Sequence, residues 1–352
     1  MPMFSWWSMR GVRLGGGWFR GRLGRWCGLG LAIALLASSC LAPSTPPAPR
    51  ESPPAVSVPK AVSEPAITLS RPQAVPSVQM ERIWQDLQAL NFPRYTAADR
   101  DHARQYLQAT LEAAGWATTT QAFPGGTNIV AKRPQARPQA KRVLLVAHYD
   151  TVTNSPGADD NASGVVVALE VARQLRSRPT DHQLEVVFFD QEEQGLVGSF
   201  AFAQQPENLA NILGVLNLEM LGYACRTANC QQYPQGLPVT PPRDRGDFLA
   251  VVGDREHPYL LQAFQLATDP ALPPLFTLPI PYKGALTPDI LRSDHAPFWL
   301  NNVGAAMVTD TADFRNPHYH QPSDTVETLD PDFLAGTAQR VMFATAALLD
   351  SR

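Results

Sequence analysis

The feature that most constrains the fold is a continuous apolar run that ends in a histidine or an acid, and it occurs three times. The runs are VLLVAHYD at 143–150, LEVVFFD at 184–190 and ILGVLNLEM at 212–220. Uninterrupted apolar runs of this length are typical of strands that are buried on both faces. In open α/β sheets, ligands bind outside the carboxyl ends of the strands. The three runs therefore predict a sheet that brings polar side chains to one edge.

The segments around these runs predict the helices that cover such a sheet. Helical patterns occupy 81–90, 96–116, 163–177, 257–268 and 331–350, with a shorter one near 199–205. Further strand-like runs lie at 117–123, 127–133, 248–253 and 304–310. Because strands alternate with helices, we expect an α/β three-layer sandwich in which a mixed, mostly parallel sheet lies between two layers of helices.

The charge of the chain is ordinary except at its N-terminus. The chain has 352 residues, of which 17% are charged, and a formal net charge of −3. A nucleic-acid-binding protein needs a basic surface, so no nucleic-acid partner is expected. The segment before Glu51, in contrast, contains several arginines and no acidic residue.

Residues 1–40 have the pattern of a secretory signal peptide. Arginines precede the apolar stretch 29–37, which ends in the small residues Ser38, Ser39 and Cys40. A basic region, a short apolar region and small residues at its exit are the parts of such a signal. The apolar stretch is far shorter than the roughly 20 residues that a membrane span requires. We therefore expect export to the cell envelope or beyond the cell.

Cys40 leaves two outcomes open for this signal. The run LLASSC resembles a bacterial lipobox, whose cysteine is acylated, so a lipid anchor at Cys40 is one alternative and simple cleavage nearby is the other. Residues 41–76 contain ten prolines and no hydrophobic period, which predicts an extended, solvated linker. The folded domain is then 77–352, where Cys225 and Cys230 are suitably spaced for a small disulfide in an oxidising compartment.

Residues of the types that bind divalent metal ions lie in five short motifs. The motifs are HYD at 148–150, GADDNASG at 157–164, QEEQG at 191–195, NLEM at 217–220 and YHQPSD at 319–324. The ligand candidates in them are His148, Asp160, Glu193, Glu219 and His320. Two histidines and three carboxylates suit a pair of divalent ions, with zinc as the first expectation. These motifs therefore predict a metallohydrolase.

Together with SDHAPF at 293–298 and YHQPSDT at 319–325, these motifs resemble peptidase family M28, the zinc peptidases that include bacterial aminopeptidases. The resemblance covers 80–350, and the motifs occur in the order of the family. It implies hydrolysis of peptide bonds, two zinc ions per chain and a peptide substrate. We expect a monomer.

The resemblance also implies how the five ligands divide between the two ions. Asp160 would bridge both ions and would be followed by a cis peptide bond. His148 and Glu219 would complete one set of ligands, and Glu193 and His320 would complete the other. The best-known members carry aspartate at the position of Glu219, so this chain departs from the family pattern there.

Glu192 is the expected general base. A carboxylate beside a water molecule that two cations hold about 3.5–4 Å apart can take its proton at neutral pH. Asp150, two residues after His148, would orient the imidazole. A solvated acidic turn explains Glu192 and Glu193 taken alone, but it does not explain their place in this set of motifs.

Other side chains are candidates for substrate contacts or for supporting the ligands. His318 competes with His320 for the last ligand position, and the resemblance favours His320. Asp294 and His295 belong near the site by resemblance, although His295 alone is equally compatible with a structural role. Some members stabilise the oxyanion with a tyrosine just before the Ser-Asp-His motif. Here PDILRSDH has no tyrosine closer than Tyr282, so Arg292 and Tyr282 are the candidates for that role.

Three alternatives to an aminopeptidase deserve weight. Glutaminyl cyclases share the architecture but bind one zinc ion and cyclise an N-terminal glutamine. The M20 metallopeptidases also contain His-x-Asp and Glu-Glu motifs, although GADDNASG and YHQPSDT fit M28 better. A binding protein of the envelope with an inactive site would have lost Glu192 or a ligand, and the sequence retains them all.

Overall fold

A single mixed sheet organises the part of the chain that this computed structural model describes, residues 67–134, 140–235, 237 and 243–352. Its strands are β1 Ala117–Phe123, β2 Gly126–Lys132, β3 Arg142–His148, β4 Gln183–Phe189, β5 Ile212–Glu219, β6 Leu249–Asp254, β7 Leu275–Ile280 and β8 Ala305–Thr309. In space they follow the order β1-β2-β4-β3-β5-β8-β6-β7. The predicted α/β class is thereby confirmed.

Helices cover both faces of this sheet. They are α1 Met80–Leu90, α2 Ala97–Ala113, α3 Gly164–Leu175, α4 Val197–Ala203, α5 Pro206–Leu209, α6 Pro258–Gln265, α7 Ala296–Leu300 and α8 Pro331–Leu349. Local capping fixes where two of them begin: Thr96 and Asp99 form a reciprocal capping box at α2, and Asp330 accepts from the Phe333 N–H at α8. The predicted helical patterns are therefore confirmed, with α5 and α7 as additional short helices.

The direction of the strands decides which residues meet. Strands β3, β4, β5 and β8 are parallel to their neighbours within this group, so their carboxyl ends lie at one edge of the sheet, here called the carboxyl edge. Strand β6 is antiparallel to β8, and β7 is parallel to β6. The carboxyl ends of β6 and β7 therefore lie at the opposite edge.

Alternating side chains of β3 build two separate cores. Val143 and Leu145 belong to the core under α1, α2, α3, α6 and α8, whereas Leu144 and Val146 belong to the core under α4 and α7. Burial on both faces explains why this strand is apolar at every position. The strand therefore cannot shift along its neighbours, which fixes the position of His148 at its end.

The folded part begins earlier than predicted. Residues 67–76 lie inside the predicted linker, but Ile67, Leu69 and Val75 pack against the core. The backbones of Thr68 and Arg352 also exchange two hydrogen bonds, of 2.7 and 3.1 Å. The prediction that the solvated linker extends to residue 76 is corrected, because three apolar side chains among the prolines are enough to dock this segment.

Strand β7 was not predicted from the sequence. It is a short strand at the end of the sheet and contains Pro279, whose missing N–H is tolerated at an edge. The predicted signal 1–40, the acylation candidate Cys40 and most of the linker lie outside the described residues. Among the described helices, none combines the length and the apolar character that crossing a membrane requires.

Candidate metal centre

The carboxyl edge gathers the predicted ligands. His148 and Glu219 are the last residues of β3 and β5, and Glu193 follows β4 by four residues. Asp160 lies in the segment Ala158–Ser163, which leads into α3 and is interrupted by non-helical backbone at Asp160 and Asn161. His320 lies in the loop between β8 and α8. Five distant segments of the sequence thus deliver one ligand candidate each.

These five residues form two groups that share Asp160. His148 Nε2 lies 3.3 Å from Asp160 Oδ1 and 3.5 Å from Glu219 Oε1. His320 Nε2 lies 3.3 Å from Asp160 Oδ2 and 3.0 Å from Glu193 Oε2. Each carboxylate oxygen of Asp160 therefore faces a different histidine, which is the arrangement of a ligand that bridges two ions.

The spacing of the ligand atoms fits zinc. In a tetrahedral site with bonds of about 2.0–2.1 Å, neighbouring ligand atoms lie roughly 3.3–3.4 Å apart. The four distances around the two histidines fall close to this value. In addition, His148 Nε2, His320 Nε2 and Glu193 Oε1 are buried and have no hydrogen-bond partner. The residues present therefore fit a metal ion in each group.

The shifted pKa values of the ligand candidates also fit a bound cation. Burial acts to lower the pKa of His148, but the charges of Glu192 and Glu219 outweigh it and hold that pKa well above its usual value. Burial and the charge of Asp160 raise the pKa of Glu193 to about 8. Without a cation these side chains would hold protons in order to coexist, and a bound cation replaces those protons.

Asp150 supports both the first histidine and the acidic turn. Its Oδ1 lies 3.4 Å from His148 Nδ1 and accepts from the Glu192 N–H at 3.0 Å. Its Oδ2 accepts from the Glu193 N–H at 3.2 Å. The predicted orienting residue therefore also fixes the backbone that carries Glu192 and Glu193.

Asp324 and Asn161 hold the turn that carries Asp160. The Asp324 carboxylate accepts from the N–H groups of Asp159 and Asp160, at 2.9 and 3.1 Å. The Asp160–Asn161 peptide bond is cis. The Asn161 side chain donates to the Leu218 carbonyl at 2.8 Å, next to Glu219. Asp160 is therefore tied to two of the other segments that carry ligand candidates.

Glu219 is held from the other side by Ser293. The Ser293 hydroxyl donates to Glu219 Oε2 and accepts from Asn217 Nδ2, the latter at 2.6 Å. All three residues are buried or nearly so. This chain of hydrogen bonds leaves Glu219 Oε1 to face His148. Glutamate has a longer side chain than the aspartate of the best-known members, and here Ser293 anchors one of its oxygens while the other is free to bind a metal ion.

Glu192 lies among these groups without being one of the ligand candidates. It is 9% exposed. Burial, together with the charges of Glu219, Asp294 and Glu193, raises its pKa well above the usual value, while His148 opposes this rise. Because a carboxylate with a raised pKa takes a proton readily, Glu192 has the electrostatic character of a general base.

The remaining predicted residues are distributed unevenly around the centre. His318 Nδ1 lies 2.9 Å from Ser323 Oγ and its ring packs against Tyr223, so His320 and not His318 faces the carboxylates. Asp294 is buried, close enough to His148 and Glu219 for their charges to affect its pKa, which burial raises to about 7. His295 packs edge-on against Trp299, and burial lowers its pKa to about 4.

The structure separates the two predicted oxyanion candidates. Arg292 lies next to the centre, where it donates to the hydroxyl of Tyr319. Tyr282 follows the end of β7, at the edge opposite the ligands, and is 73% exposed. The structure therefore does not bring Tyr282 to the ligand groups, since β7 runs opposite to β3, β5 and β8. Cys225 and Cys230 form a disulfide with a Cα–Cα distance of 6.2 Å.

Two residues near the centre were missed by sequence reasoning. Tyr319 stacks on the His320 ring, with centroids 3.7 Å apart. Arg94 is buried and donates to the carbonyls of Tyr149, Pro156 and Gly157. The motif YHQPSD contained Tyr319, but nothing in the sequence gave its ring a partner. Arg94 lies in no motif at all.

The fold and the two ligand groups define a metal-dependent hydrolase. The model of Peptidase family M28 matches residues 128–345, more than half of the chain. The chain belongs to this family and is a metallopeptidase, as the motifs predicted.

Relatives of known sequence agree with this assignment. YfbL of Escherichia coli (strain K12) is 31% identical over 78% of this chain and 88% of its own length. Aminopeptidase YwaD of Bacillus subtilis (strain 168) is 27% identical over 72% of this chain, which matches only 50% of YwaD. A probable lipoprotein aminopeptidase of Mycobacterium tuberculosis, LpqL, is 30% identical over 64% of this chain and 46% of its own length.

Solved structures share the fold. The aminopeptidase LapA of Legionella pneumophila superposes with a TM-score of 0.60 at 20% identity, over 78% of this chain and 73% of LapA. BSAP, a zinc aminopeptidase from Bacillus subtilis, gives 0.50 at 25% identity, over 66% and 52%. A glutaminyl cyclase from Porphyromonas gingivalis gives 0.56 at 20% identity, over 76% and 98%. The fold alone therefore does not separate peptidases from cyclases.

Proposed function

We propose that this protein is a zinc-dependent aminopeptidase with two zinc ions per chain, which releases N-terminal residues from peptides. The observation that carries the proposal is the position of Asp160, whose two oxygens each face a different histidine-and-carboxylate group. The names of YwaD and BSAP support the choice of aminopeptidase and of zinc for this chain.

Each residue then has a defined task. His148, Glu219 and Asp160 would hold one ion, and His320, Glu193 and Asp160 the other. When bound, the ions would polarise the substrate carbonyl and acidify a water molecule. Glu192 would take the proton of the attacking water and pass it to the leaving amine. Asp150 and Ser293 would keep His148 and Glu219 in their orientations.

Two ligand groups argue against the glutaminyl-cyclase alternative, which requires one zinc ion. The retention of Glu192 and of every ligand argues against an inactive binding protein. We propose further that the protein is exported and acts in the cell envelope or outside the cell as a monomer. If Cys40 is acylated, the lipid alone would attach the protein to the membrane. The similarity to LpqL, a probable lipoprotein aminopeptidase, supports acylation as the alternative to simple cleavage.

Replacement of Glu192 tests the proposal directly. In Glu192→Gln the amide can no longer accept the proton, so turnover of an aminoacyl anilide should fall by about 10²–10⁴-fold while zinc content stays near two per chain. Glu207→Gln, an exposed glutamate in α5, is the matched control and should resemble the wild type. Turnover is measured with and without a chelator, and zinc by elemental analysis.

Three outcomes would contradict the proposal. Undiminished turnover in Glu192→Gln would remove this residue from its role. One zinc ion per active chain would favour the cyclase alternative. A digest of a peptide library, read by mass spectrometry, that shows cleavage only at the C-terminal end or inside peptides would exclude an aminopeptidase.

A further inference from the structure

His320 depends for its position on the loop that carries it. His148 and Glu219 end the strands β3 and β5, which the sheet holds in place, whereas His320 lies in the loop between β8 and α8. Its backbone has a φ of 59°, a left-handed conformation that residues with a Cβ atom seldom adopt. Such a conformation persists only where the surrounding contacts fix it. The contacts that fix this loop therefore decide how well His320 can serve as a ligand.

Both ends of this loop are attached to the segment that carries Asp160. At the far end, the Asp324 carboxylate accepts from the N–H groups of Asp159 and Asp160. At the near end, the Asn316 amide donates to Asp159 Oδ2 at 2.7 Å. His320 lies four residues from each attachment. The loop therefore presents His320 to Asp160 between two fixed points.

Asn316 also shapes the chain that leads to His320. Its Oδ1 accepts from the His318 N–H at 2.9 Å, which forms an Asx turn. Asn316 is only 2% exposed, and a buried amide that lost its partners would be costly, so the side chain stays in this orientation. An asparagine supplies an acceptor and a donor from one short side chain, which an ionised aspartate or a leucine cannot do.

The attachment at Asn316 concerns one ligand group and leaves the other supported. The Asp159 carboxylate has a second partner, the Gly222 N–H at 2.8 Å. The Asp160 N–H is held independently by Asp324. The described hydrogen bonds of Asn316 do not reach the strands β3 and β5, which carry the other two ligand candidates of the neighbouring group. Loss of Asn316 should therefore release the start of the His320 loop more than it disturbs Asp160.

We propose that Asn316 is a positioning residue for the ion held by His320, Glu193 and Asp160, because it fastens the start of the His320 loop to the segment of the shared carboxylate. The inference rests on the proposed function, since it takes these three residues as the ligands of one zinc ion. It goes beyond that function by assigning a selective effect on metal affinity to a residue that is not a ligand.

Asn316→Leu tests this role, since leucine has nearly the same shape and neither donates nor accepts. In a zinc titration in competition with a chromophoric chelator, we expect the wild type to bind two ions. In Asn316→Leu one binding step should weaken by roughly 10–100-fold and the other should change by less than about threefold. Asn301→Leu is the matched control, because Asn301 is exposed at the end of α7 and its amide donates to the Pro297 carbonyl. Both steps should match the wild type in this control.

Ser293→Ala identifies which step belongs to which ion. The Ser293 hydroxyl contacts Glu219, a ligand candidate of the other ion, so Ser293→Ala should weaken the step that Asn316→Leu leaves in place. In the double variant each step should weaken as it does in the corresponding single variant.

Asn316→Ser is a second, milder replacement. A serine hydroxyl can accept from the His318 N–H in a similar turn, but it is too short to reach Asp159. If the attachment to Asp159 positions His320, this variant should weaken the same step as Asn316→Leu, although the turn is kept.

A role in folding stability alone would give a different result. Asn316→Leu and Asn316→Ser would then unfold at lower urea concentration after chelator treatment, while both zinc steps matched the wild type, and this outcome would overturn the positioning role. Equal weakening of both steps, or weakening of the step that Ser293→Ala also weakens, would overturn it as well. A wild type that bound a single zinc ion per active chain would instead overturn the two-ion assignment in the proposed function.

Discussion

Replacing Ser293 by alanine should loosen one metal ion and spare the other. Ser293 contacts Glu219 through its hydroxyl and has no contact with Glu193 or His320 among the described hydrogen bonds. Ser293→Ala therefore removes a donor from Glu219 Oε2 only. The other oxygen of Glu219, 3.5 Å from His148 Nε2, loses the anchor that orients it.

The size of the effect follows from that one hydrogen bond. A hydrogen bond to a charged group is worth about 1.5–3 kcal/mol. Since about 1.4 kcal/mol corresponds to a factor of ten, the affinity of the ion held by His148 and Glu219 should fall by roughly 10–100-fold. The ion held by Glu193 and His320 shares only Asp160 with the first, so its affinity should change by less than about threefold.

A competition titration against a chromophoric chelator resolves the two ions. The wild type should bind two zinc ions, and Ser293→Ala should show one binding step displaced and one in place. Ser323→Ala is the matched control, because Ser323 is exposed and its hydroxyl contacts His318, which is not a ligand candidate. Equal weakening of both ions, or of neither, would refute the assignment of Glu219 and Ser293 to one ion.

Two further predictions concern protons. Metal-free protein at pH 7 should release at least one proton when zinc binds beside Glu193. Burial lowers the pKa of His320, but Asp160 and Glu193 outweigh burial and raise this pKa to about 10, so His320 carries a proton that zinc must displace. Calorimetry in buffers of different ionisation enthalpy measures the released proton, and a binding enthalpy that does not depend on the buffer would contradict the prediction. Burial lowers the pKa of His295 to about 4 in the folded protein, whereas an unfolded histidine has a pKa of about 6.5. Between these two pH values the unfolded chain binds a proton at His295 that the folded protein does not bind, so the free energy of unfolding falls as the pH falls through this window. From pH 7.5 to 5 the wild type should lose about 2 kcal/mol more than His295→Gln in urea unfolding, and equal losses would show that His295 is charged in the folded protein.

The sheet and its carboxyl edge could be predicted because burial leaves a local pattern in the sequence of each strand. Strands β3, β4 and β5 are apolar at nearly every position since both of their faces are buried, and polar residues at their ends mark the carboxyl edge. Segment 67–76 and strand β7 were not predicted, because proline-rich composition outweighed a few apolar side chains. Their docking depends on surfaces that the rest of the chain supplies.

The hydrogen bonds that orient the ligand candidates could not be predicted from the sequence. Ser293 and Asp324 lay inside recognised motifs, but their partners are far away in the sequence, at Glu219 and at Asp159 and Asp160. The distinction between Arg292 and Tyr282 required the direction of β7, which the sequence did not reveal. The topology of the fold, and not the local sequence pattern, decides which residues come into contact when they are 60 or more positions apart in the chain.

The placement of Arg94 explains how so many carboxylates can be held together and remain available to metal ions. The guanidinium is buried, and its hydrogen bonds go to backbone carbonyls and not to carboxylates. Burial lowers its pKa to about 10, while the charges of Asp324, Asp150, Asp160 and Glu193 oppose that change, so it remains a cation at neutral pH. A salt bridge to a ligand would have occupied the lone pairs that an ion needs. Because backbone oxygens satisfy the guanidinium instead, its positive field offsets the repulsion between the acids without competing for their oxygens.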